Sequence, residues 1–117
     1  MSRKFAPKEK VELEPPKNDV YTASELSKYD GVQNPRIYVA VKGTIFDVTG
    51  KAQVYGPGGS YSIFAGKDGS KGLGKSSLKA EDANNDVDAL TDDEKQVLDD
   101  WYSFFSQRYN IMGYLKM

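Results

Sequence analysis

The 117-residue chain contains no histidine and no cysteine. Zinc sites are built largely from these two residue types, the familiar serine and cysteine triads need a histidine base, and thiol redox chemistry needs a cysteine. Their absence excludes most of the common catalytic and metal-binding arrangements. Any metal would have to be held by oxygen, and the eight tyrosines offer an uncommon oxygen ligand, because a tyrosine phenolate can coordinate iron.

The chain also lacks a strong charge of either sign and any long apolar run. Its 16 basic and 17 acidic residues give a net charge of −1, which provides no basic field to favour nucleic acid. No stretch approaches the roughly 20 apolar residues that span a bilayer, and no signal-peptide core is present. The sequence alone therefore predicts a chain that is soluble as given.

The first segment differs in composition from the rest of the chain. Residues 1–19 contain three prolines, many charges and few large apolar side chains, and such a segment cannot bury enough apolar surface to order itself. We therefore expect a disordered leader over 1–19. The remaining residues, 20–117, are expected to form one domain, since this length can close a single core.

Two threonines mark the predicted starts of helices. Thr22 and Thr91 are each followed three residues later by a glutamate, which is the capping-box pattern that satisfies two backbone N–H groups reciprocally. The pattern predicts a short helix over 22–29 and a long helix over 91–109. We expect Gly113 to stop the long helix.

The segments between these helices indicate strands and further short helices. Two β-rich runs, 37–41 and 44–48, are separated only by Lys-Gly, which indicates a hairpin. The stretch over 67–90 is rich in glycine, serine and acidic residues and predicts short helices joined by loops. This order of elements is typical of an α+β domain with few strands.

Two binding motifs occur in the loop-rich part of the chain, and we interpret both as structural. Residues 69–76 match the phosphate-binding loop pattern. However, no buried apolar strand precedes them, and no later apolar run ends in a magnesium-binding aspartate. Residues 82–86 begin like a calcium loop, yet Val87 stands where that loop needs glycine and Asp93 where it needs glutamate.

The aromatic residues suggest two candidate ligand surfaces. Tyr55 and Tyr61 enclose a turn of sequence Gly-Pro-Gly-Gly-Ser, although by itself such a turn is more often structural than functional. Trp101 belongs to a row of aromatics at helical spacing, which more often packs on a core than walls a ligand. Tyr109 lies beside Arg108, and a hydroxyl next to a guanidinium suits a carboxylate.

Five short segments, in their order along the chain, closely resemble one known family. It is the membrane-associated progesterone receptor family, which belongs to the cytochrome b5-like haem/steroid-binding domains; the fungal Dap-type damage-response proteins are the subgroup that the chain resembles most. The likeness covers about residues 20–114 and includes Trp101 and Tyr109. The five segments are YTASEL at 21–26, DG at 30–31, IFDVT at 45–49, YGPGGSY at 55–61 and FAGKD at 64–68.

The resemblance implies a fold and a site. The fold would be a cytochrome b5-like α+β domain in which a small mixed sheet and several short helices form a haem cleft. By position, Tyr61 matches the axial iron ligand of the family, and Tyr55 matches the tyrosine that supports it by a hydrogen bond. Arg108 and Tyr109 match the site that holds the haem propionates. The implied cofactor is a ferric, five-coordinate haem b, and bis-histidine ligation is excluded by the composition.

The resemblance also implies a role. It points to a membrane-associated haem-binding protein, not an enzyme, that supports or regulates haem-thiolate monooxygenases of sterol biosynthesis at the cytoplasmic face of the endoplasmic reticulum. Three alternatives stay open: a sterol- or steroid-binding module that uses the same cleft, a haem chaperone without direct monooxygenase contact, and a peroxide-consuming enzyme with Asp68 as its acid–base group. A haem-dependent homodimer is a further option.

Overall fold

The structure, a computed structural model that describes residues 13–116, contains five strands and four α-helices over those residues. The strands are β1 (Val20–Tyr21), β2 (Tyr38–Val41), β3 (Thr44–Asp47), β4 (Lys67–Asp68) and β5 (Ile111–Leu115). The helices are α1 (Ala23–Ser27), α2 (Ala52–Tyr55), α3 (Ser70–Lys75) and α4 (Asp92–Arg108). Short 3₁₀ turns cover Thr49–Lys51, Ser62–Phe64, Ala80–Asp82 and Val87–Ala89.

The strands form one mixed sheet in the order β1-β5-β3-β2-β4. β2 and β3 pair antiparallel, with Tyr38 opposite Asp47 and Val41 opposite Thr44, so the predicted hairpin is confirmed. β5 pairs antiparallel with β3 and parallel with β1, while β4 pairs parallel with β2. Short helices surround this sheet, and the predicted α+β class with a small mixed sheet is therefore confirmed.

Both predicted capping boxes are present. Thr22 caps α1 and Thr91 caps α4. At α4 the Thr91 hydroxyl accepts a hydrogen bond from the Glu94 N–H at 3.2 Å, and the Glu94 carboxylate accepts one from the Thr91 N–H at 2.9 Å. Acidic side chains in the first turn of α4 also suit the positive end of the helix dipole. These local signals fix where the two helices begin.

The sheet buries a different apolar cluster on each face. Alternate residues of a strand point to opposite faces, and β2 follows this rule: Val39 and Val41 join the larger cluster, while Tyr38 and Ala40 join the smaller one. The larger cluster receives side chains from every part of the chain that carries a candidate site residue. Its buried members outside the strands are Ile37, Val48, Tyr55, Phe64, Leu73, Leu90, Leu98 and Phe105.

The prediction that Gly113 stops the long helix is wrong. α4 already ends at Arg108, Tyr109 has an extended backbone, and Gly113 lies inside β5. Gly113 has φ of +152°, and a Cβ atom built on it would lie 2.2 Å from the carbonyl oxygen of Asp19. The glycine is needed because the β1 segment crosses close to β5, not because a helix ends there.

The structure describes only part of the N-terminal segment. Residues 1–12 of the predicted leader lie outside the described residues, as does residue 117. Further along, the Glu14 N–H donates to the Asn110 side chain at 2.8 Å, and the Lys17 N–H donates to the Ile111 carbonyl at 3.0 Å.

Over residues 13–116, none of the helices has the length and apolar character that crossing a membrane requires.

We predict that Gly113→Ala lowers the free energy of unfolding by about 2 kcal/mol, because backbone strain of this kind costs on the order of 1–3 kcal/mol and the new methyl group would meet the Asp19 carbonyl. Urea unfolding followed by circular dichroism measures the change. Gly50→Ala is the matched control, since nothing lies within 4 Å of a Cβ atom at Gly50. A loss at Gly113 no larger than that at Gly50 would contradict this role of the glycine.

Candidate functional site

The turn after α2 brings the two candidate tyrosines into contact. Gly58 has φ of +83°, and Gly59 passes so close to Val54 that a Cβ atom would lie 2.2 Å from the Val54 carbonyl oxygen. The Tyr61 N–H then donates to that carbonyl at 2.9 Å. The rings of Tyr55 and Tyr61 consequently meet edge to face, with centroids 5.9 Å apart.

The inner face of α4 completes an aromatic cluster around this turn. Phe105 is fully buried and contacts the ring of Tyr55 at 6.0 Å and that of Tyr109 at 5.3 Å between centroids. Trp101, one turn earlier, contacts both Phe105 and Tyr61 at 6.2 Å. Trp101 is only half-buried, so it packs on the core and also borders the open side of Tyr61.

The two tyrosines of the turn differ in environment. Tyr55 is buried, whereas Tyr61 is half-buried. Burial raises the pKa of Tyr55, and the neighbouring phenols of Tyr109 and Tyr61 raise it further. A hydrogen bond between the Tyr55 and Tyr109 hydroxyls also contributes to the raised pKa of Tyr55. Tyr55 is therefore a protonated donor within the core, while Tyr61 is the tyrosine that reaches the surface.

The last turn of α4 places a cation near these phenols. The Arg108 guanidinium carbon lies 4.3 Å from the centroid of the Phe104 ring, a cation–π contact that holds the side chain against the helix. Burial raises the pKa of Tyr109, while the charge of Arg108 opposes that rise. The structure thus brings the four residues predicted for the site into one region: Tyr55 and Tyr109 contact Phe105, Tyr61 contacts Tyr55, and Arg108 lies next to Tyr109.

The space beside Tyr61 is smaller than a typical ligand pocket. A cleft of about 140 Å³ is lined by aromatic and apolar groups of the turn, α3 and α4, whereas small-molecule pockets commonly hold about 300–1,000 Å³. Leu78 closes the cleft on the outside and is itself 49% exposed. The sequence indicated Leu78 only as a packing anchor, because an isolated leucine in a polar stretch carries no binding signal.

The residues of the cleft fit the haem that the resemblance implies. A half-buried phenol offers an oxygen ligand and aromatic rings wall the space, whereas Arg108 and Tyr109, which could hold carboxylates, lie together at the end of α4 and do not line the cleft. The volume of the cleft is below the usual range of ligand pockets. Asp68 does not line this cleft; it lies in β4, is 5% exposed and borders a different cavity.

The two sequence motifs interpreted as structural have structural partners here. Residues 70–75 form α3 instead of a phosphate-binding loop, and Gly72 packs against the ring of Phe64. Lys75 lies 3.9 Å from a carboxylate oxygen of Glu94. Asp82 of the calcium-like stretch lies 3.5 Å from the Lys71 ammonium, and residues 13–116 contain no group of three or more acidic side chains able to hold a metal ion.

We predict that Tyr55 makes the fold sensitive to alkali. A phenol in an unfolded chain ionises near pH 10, and the raised pKa of Tyr55 in the fold means that its stabilising contribution is present below pH 10 and lost as the pH rises towards the folded pKa. The free energy of unfolding should fall less steeply above pH 10 in Tyr55→Phe, by up to about 1.4 kcal/mol per pH unit.

Urea titrations between neutral pH and pH 12 provide this measurement. Tyr114→Phe is the control for loss of a phenol, because that tyrosine is 39% exposed and lies outside the buried cluster of Tyr55. Equal slopes for Tyr55→Phe and the parent would show that the Tyr55 phenol ionises as readily in the fold as in water.

Comparison with known proteins places this chain in a family. The description "Cytochrome b5-like Heme/Steroid binding domain" matches residues 22–115. A solved Arabidopsis thaliana protein, described as having a cytochrome b5-like fold, superimposes with a TM-score of 0.78 and 42% identity, over 86% of this chain and 93% of that one. The predicted cytochrome b5-like fold is therefore confirmed.

Two relatives agree with the predicted family. The chain is 44% identical over 102 residues to the cytochrome P450 regulator dap1 of Schizosaccharomyces pombe, and 38% identical over 98 residues to the human membrane-associated progesterone receptor component 2. Each match covers 81% of this chain, but only 61% of the yeast protein and 44% of the human one. The chain belongs to the cytochrome b5-like haem/steroid-binding domain family, among relatives that include membrane-associated progesterone receptor components and the fungal P450 regulator.

Proposed function

We propose that the chain binds a ferric haem b through the phenolate oxygen of Tyr61 and leaves the iron five-coordinate. The observation that carries the proposal is the pairing of a half-buried Tyr61 with a buried, protonated Tyr55 in the glycine turn, within the residues that match a haem/steroid-binding family. Without histidine or cysteine in the chain, no imidazole or thiolate ligand competes with the phenol.

The proposed roles of the other residues follow from their environments. A phenolate is stabilised by a hydrogen-bond donor that stays protonated, and the raised pKa of Tyr55 suits that task. Outer-shell partners of metal ligands act in this way in other proteins. Tyr109 and Arg108 lie together at the end of α4, where a hydroxyl and a guanidinium can hold carboxylates. When bound, the haem would supply a redox-active iron, whose ferric form a hard anionic ligand favours.

We further propose that the haem-bound chain supports or regulates a haem-thiolate monooxygenase of sterol biosynthesis at the cytoplasmic face of the endoplasmic reticulum. Support comes from a relative that is named as a cytochrome P450 regulator and from one that is named as membrane-associated. A binding role suits the cleft better than catalysis does, because the residues that line it include no acid–base group other than Tyr61 itself.

A steroid-binding role is the second candidate. The family description includes steroid binding, and a relative is named as a progesterone receptor component. The aromatic and apolar walls of the Tyr61 cleft suit a flat polycyclic molecule as well as a porphyrin. Saturable sterol binding by the haem-free chain that added haemin does not disturb would favour this role over haem binding. A haem chaperone that never contacts the monooxygenase is the third candidate.

Tyr61→Phe should abolish the phenolate-ligated haem spectrum and weaken haemin binding by about 100-fold or more, because loss of an outer-shell partner alone typically costs about 10–100-fold. Tyr55→Phe and Tyr109→Phe should each weaken haemin binding by about 10–100-fold. Visible absorption and titration with haemin measure both effects.

Tyr102→Phe is the control for loss of a phenol from the same region. Its hydroxyl lies 3.4 Å from the Thr44 hydroxyl and it does not line the cleft, so the haem spectrum should stay that of the parent. The same spectrum and affinity in Tyr61→Phe and the parent would rule out the ligand assignment.

The partner is tested separately from the haem. In membranes that hold a sterol-synthesis monooxygenase, addition of the haem-loaded chain should raise the amount of active, carbon-monoxide-binding monooxygenase, and Tyr61→Phe should not. An equal rise with both proteins would show that the effect on the monooxygenase does not depend on haem ligation by Tyr61. No rise with either protein would leave the chain as a haem- or steroid-binding domain without this partner.

A further inference from the structure

A second and larger cavity lies away from the tyrosines. Its volume is about 400 Å³, and it is enclosed by the β2–β3 turn, the start of α3, the loop at 85–87 and the first half of α4. It shares α3 and α4 as walls with the Tyr61 cleft, but no lining residue is common to both. Unlike the Tyr61 cleft, this cavity falls within the usual volume range of small-molecule pockets.

The inner wall of this cavity is a buried and preformed polar network. Asp68 accepts hydrogen bonds from the Gly43 N–H at 3.0 Å and from the Ser70 N–H at 2.8 Å. The fully buried Ser70 hydroxyl accepts from the Lys42 N–H at 2.7 Å. These bonds tie the hairpin turn to the start of α3. They fix the arrangement of the inner wall of the cavity.

The charges around the cavity balance. Two lysines and two aspartates contribute to the lining, and the Lys42 ammonium lies 2.8 Å from the Asp99 carboxylate across the mouth. Lys95 stands at the exposed rim, while the side chains of Val87 and Leu98 supply apolar surface. Such a lining has no excess charge with which to attract an ion. It offers apolar contact and a few hydrogen-bonding groups.

We infer that the cavity between the β2–β3 turn and α4 binds a neutral, mainly apolar small molecule with one hydrogen-bonding end, and that the Lys42–Asp99 pair closes its mouth. The apolar body of the ligand would lie against Val87 and Leu98. Its polar end would reach the Lys95 side chain at the rim. The closing pair is solvent-exposed on both sides, and exposed ion pairs contribute little to stability, so the mouth can open at low cost.

The test compares two dyes that differ by one charge. N-phenyl-1-naphthylamine is neutral, and 8-anilino-1-naphthalenesulfonate is the same ring system with a sulfonate. Fluorescence titration of the full chain should show saturable binding of the neutral dye, with an affinity about tenfold or more above that of the sulfonate. Tighter binding of the sulfonate would overturn the assignment of a neutral ligand.

The site itself is tested by filling the cavity. Val87 is half-buried in the cavity wall, so Val87→Trp should lower the affinity for the neutral dye by about tenfold or more. Val32→Trp is the matched control, because Val32 is 74% exposed and does not line the cavity. Equal losses in both variants, or no loss in either, would contradict the site.

Amide signals of the unsubstituted protein give a second readout if Val87→Trp does not fold. In ¹⁵N-labelled chain the neutral dye should shift the resonances of Gly43 and Ser70, whose N–H groups bond to Asp68. Shifts confined to Tyr61, Leu78 and Trp101 would move the ligand to the other cleft and overturn the inference. Binding of the neutral dye should also persist in Tyr61→Phe, because Tyr61 does not line this cavity. Loss of haem binding in that variant is therefore a separate result from loss of dye binding.

Discussion

The packing of Phe105 holds the functional parts of the molecule together. This residue of α4 is fully buried and contacts Phe46 of the sheet at 5.4 Å between ring centroids, Tyr55 of the glycine turn at 6.0 Å and Tyr109 at 5.3 Å. Edge-to-face contacts of this kind add to the apolar area that the rings bury. A single aromatic side chain therefore couples the sheet, the turn that presents Tyr61, and the end of α4.

This packing explains why two neighbouring tyrosines have different chemical properties. Tyr55 is pressed against Phe105 and stays protonated because burial raises its pKa, whereas Tyr61 extends past the core edge towards Trp101. The close approach of Gly59 to Val54 makes the reversal of the chain possible. The proposed iron ligation uses this pair of a buried and a half-buried phenol, which results from the turn and the helix together.

Local signals in the sequence predicted the elements but not all of their pairings. The capping threonines Thr22 and Thr91 and the hairpin around Lys42-Gly43 depend on contacts within a few residues, and all three predictions were confirmed. β4 and β5 depend on partners far along the chain. The local pattern around Gly113 therefore predicts a helix stop and not a strand. The sequence pattern pointed to the four candidate site residues, and the resemblance implied their roles. The Tyr55–Tyr109 hydrogen bond, the role of Leu78 and the cavity beside Ser70 depend on tertiary contacts that no short motif encodes.

The two cavities divide the domain into a tyrosine side, proposed for a porphyrin, and a hairpin side, proposed for a neutral apolar molecule. The first is narrow and edged by an exposed leucine, while the second is wider and polar at its inner wall.

The most direct test of iron ligation is the resonance Raman spectrum of the ferric haem-loaded chain. Ligation by Tyr61 predicts enhanced vibrations of an iron-bound phenolate that vanish in Tyr61→Phe. Their absence from the parent, or their persistence in the variant, would contradict it.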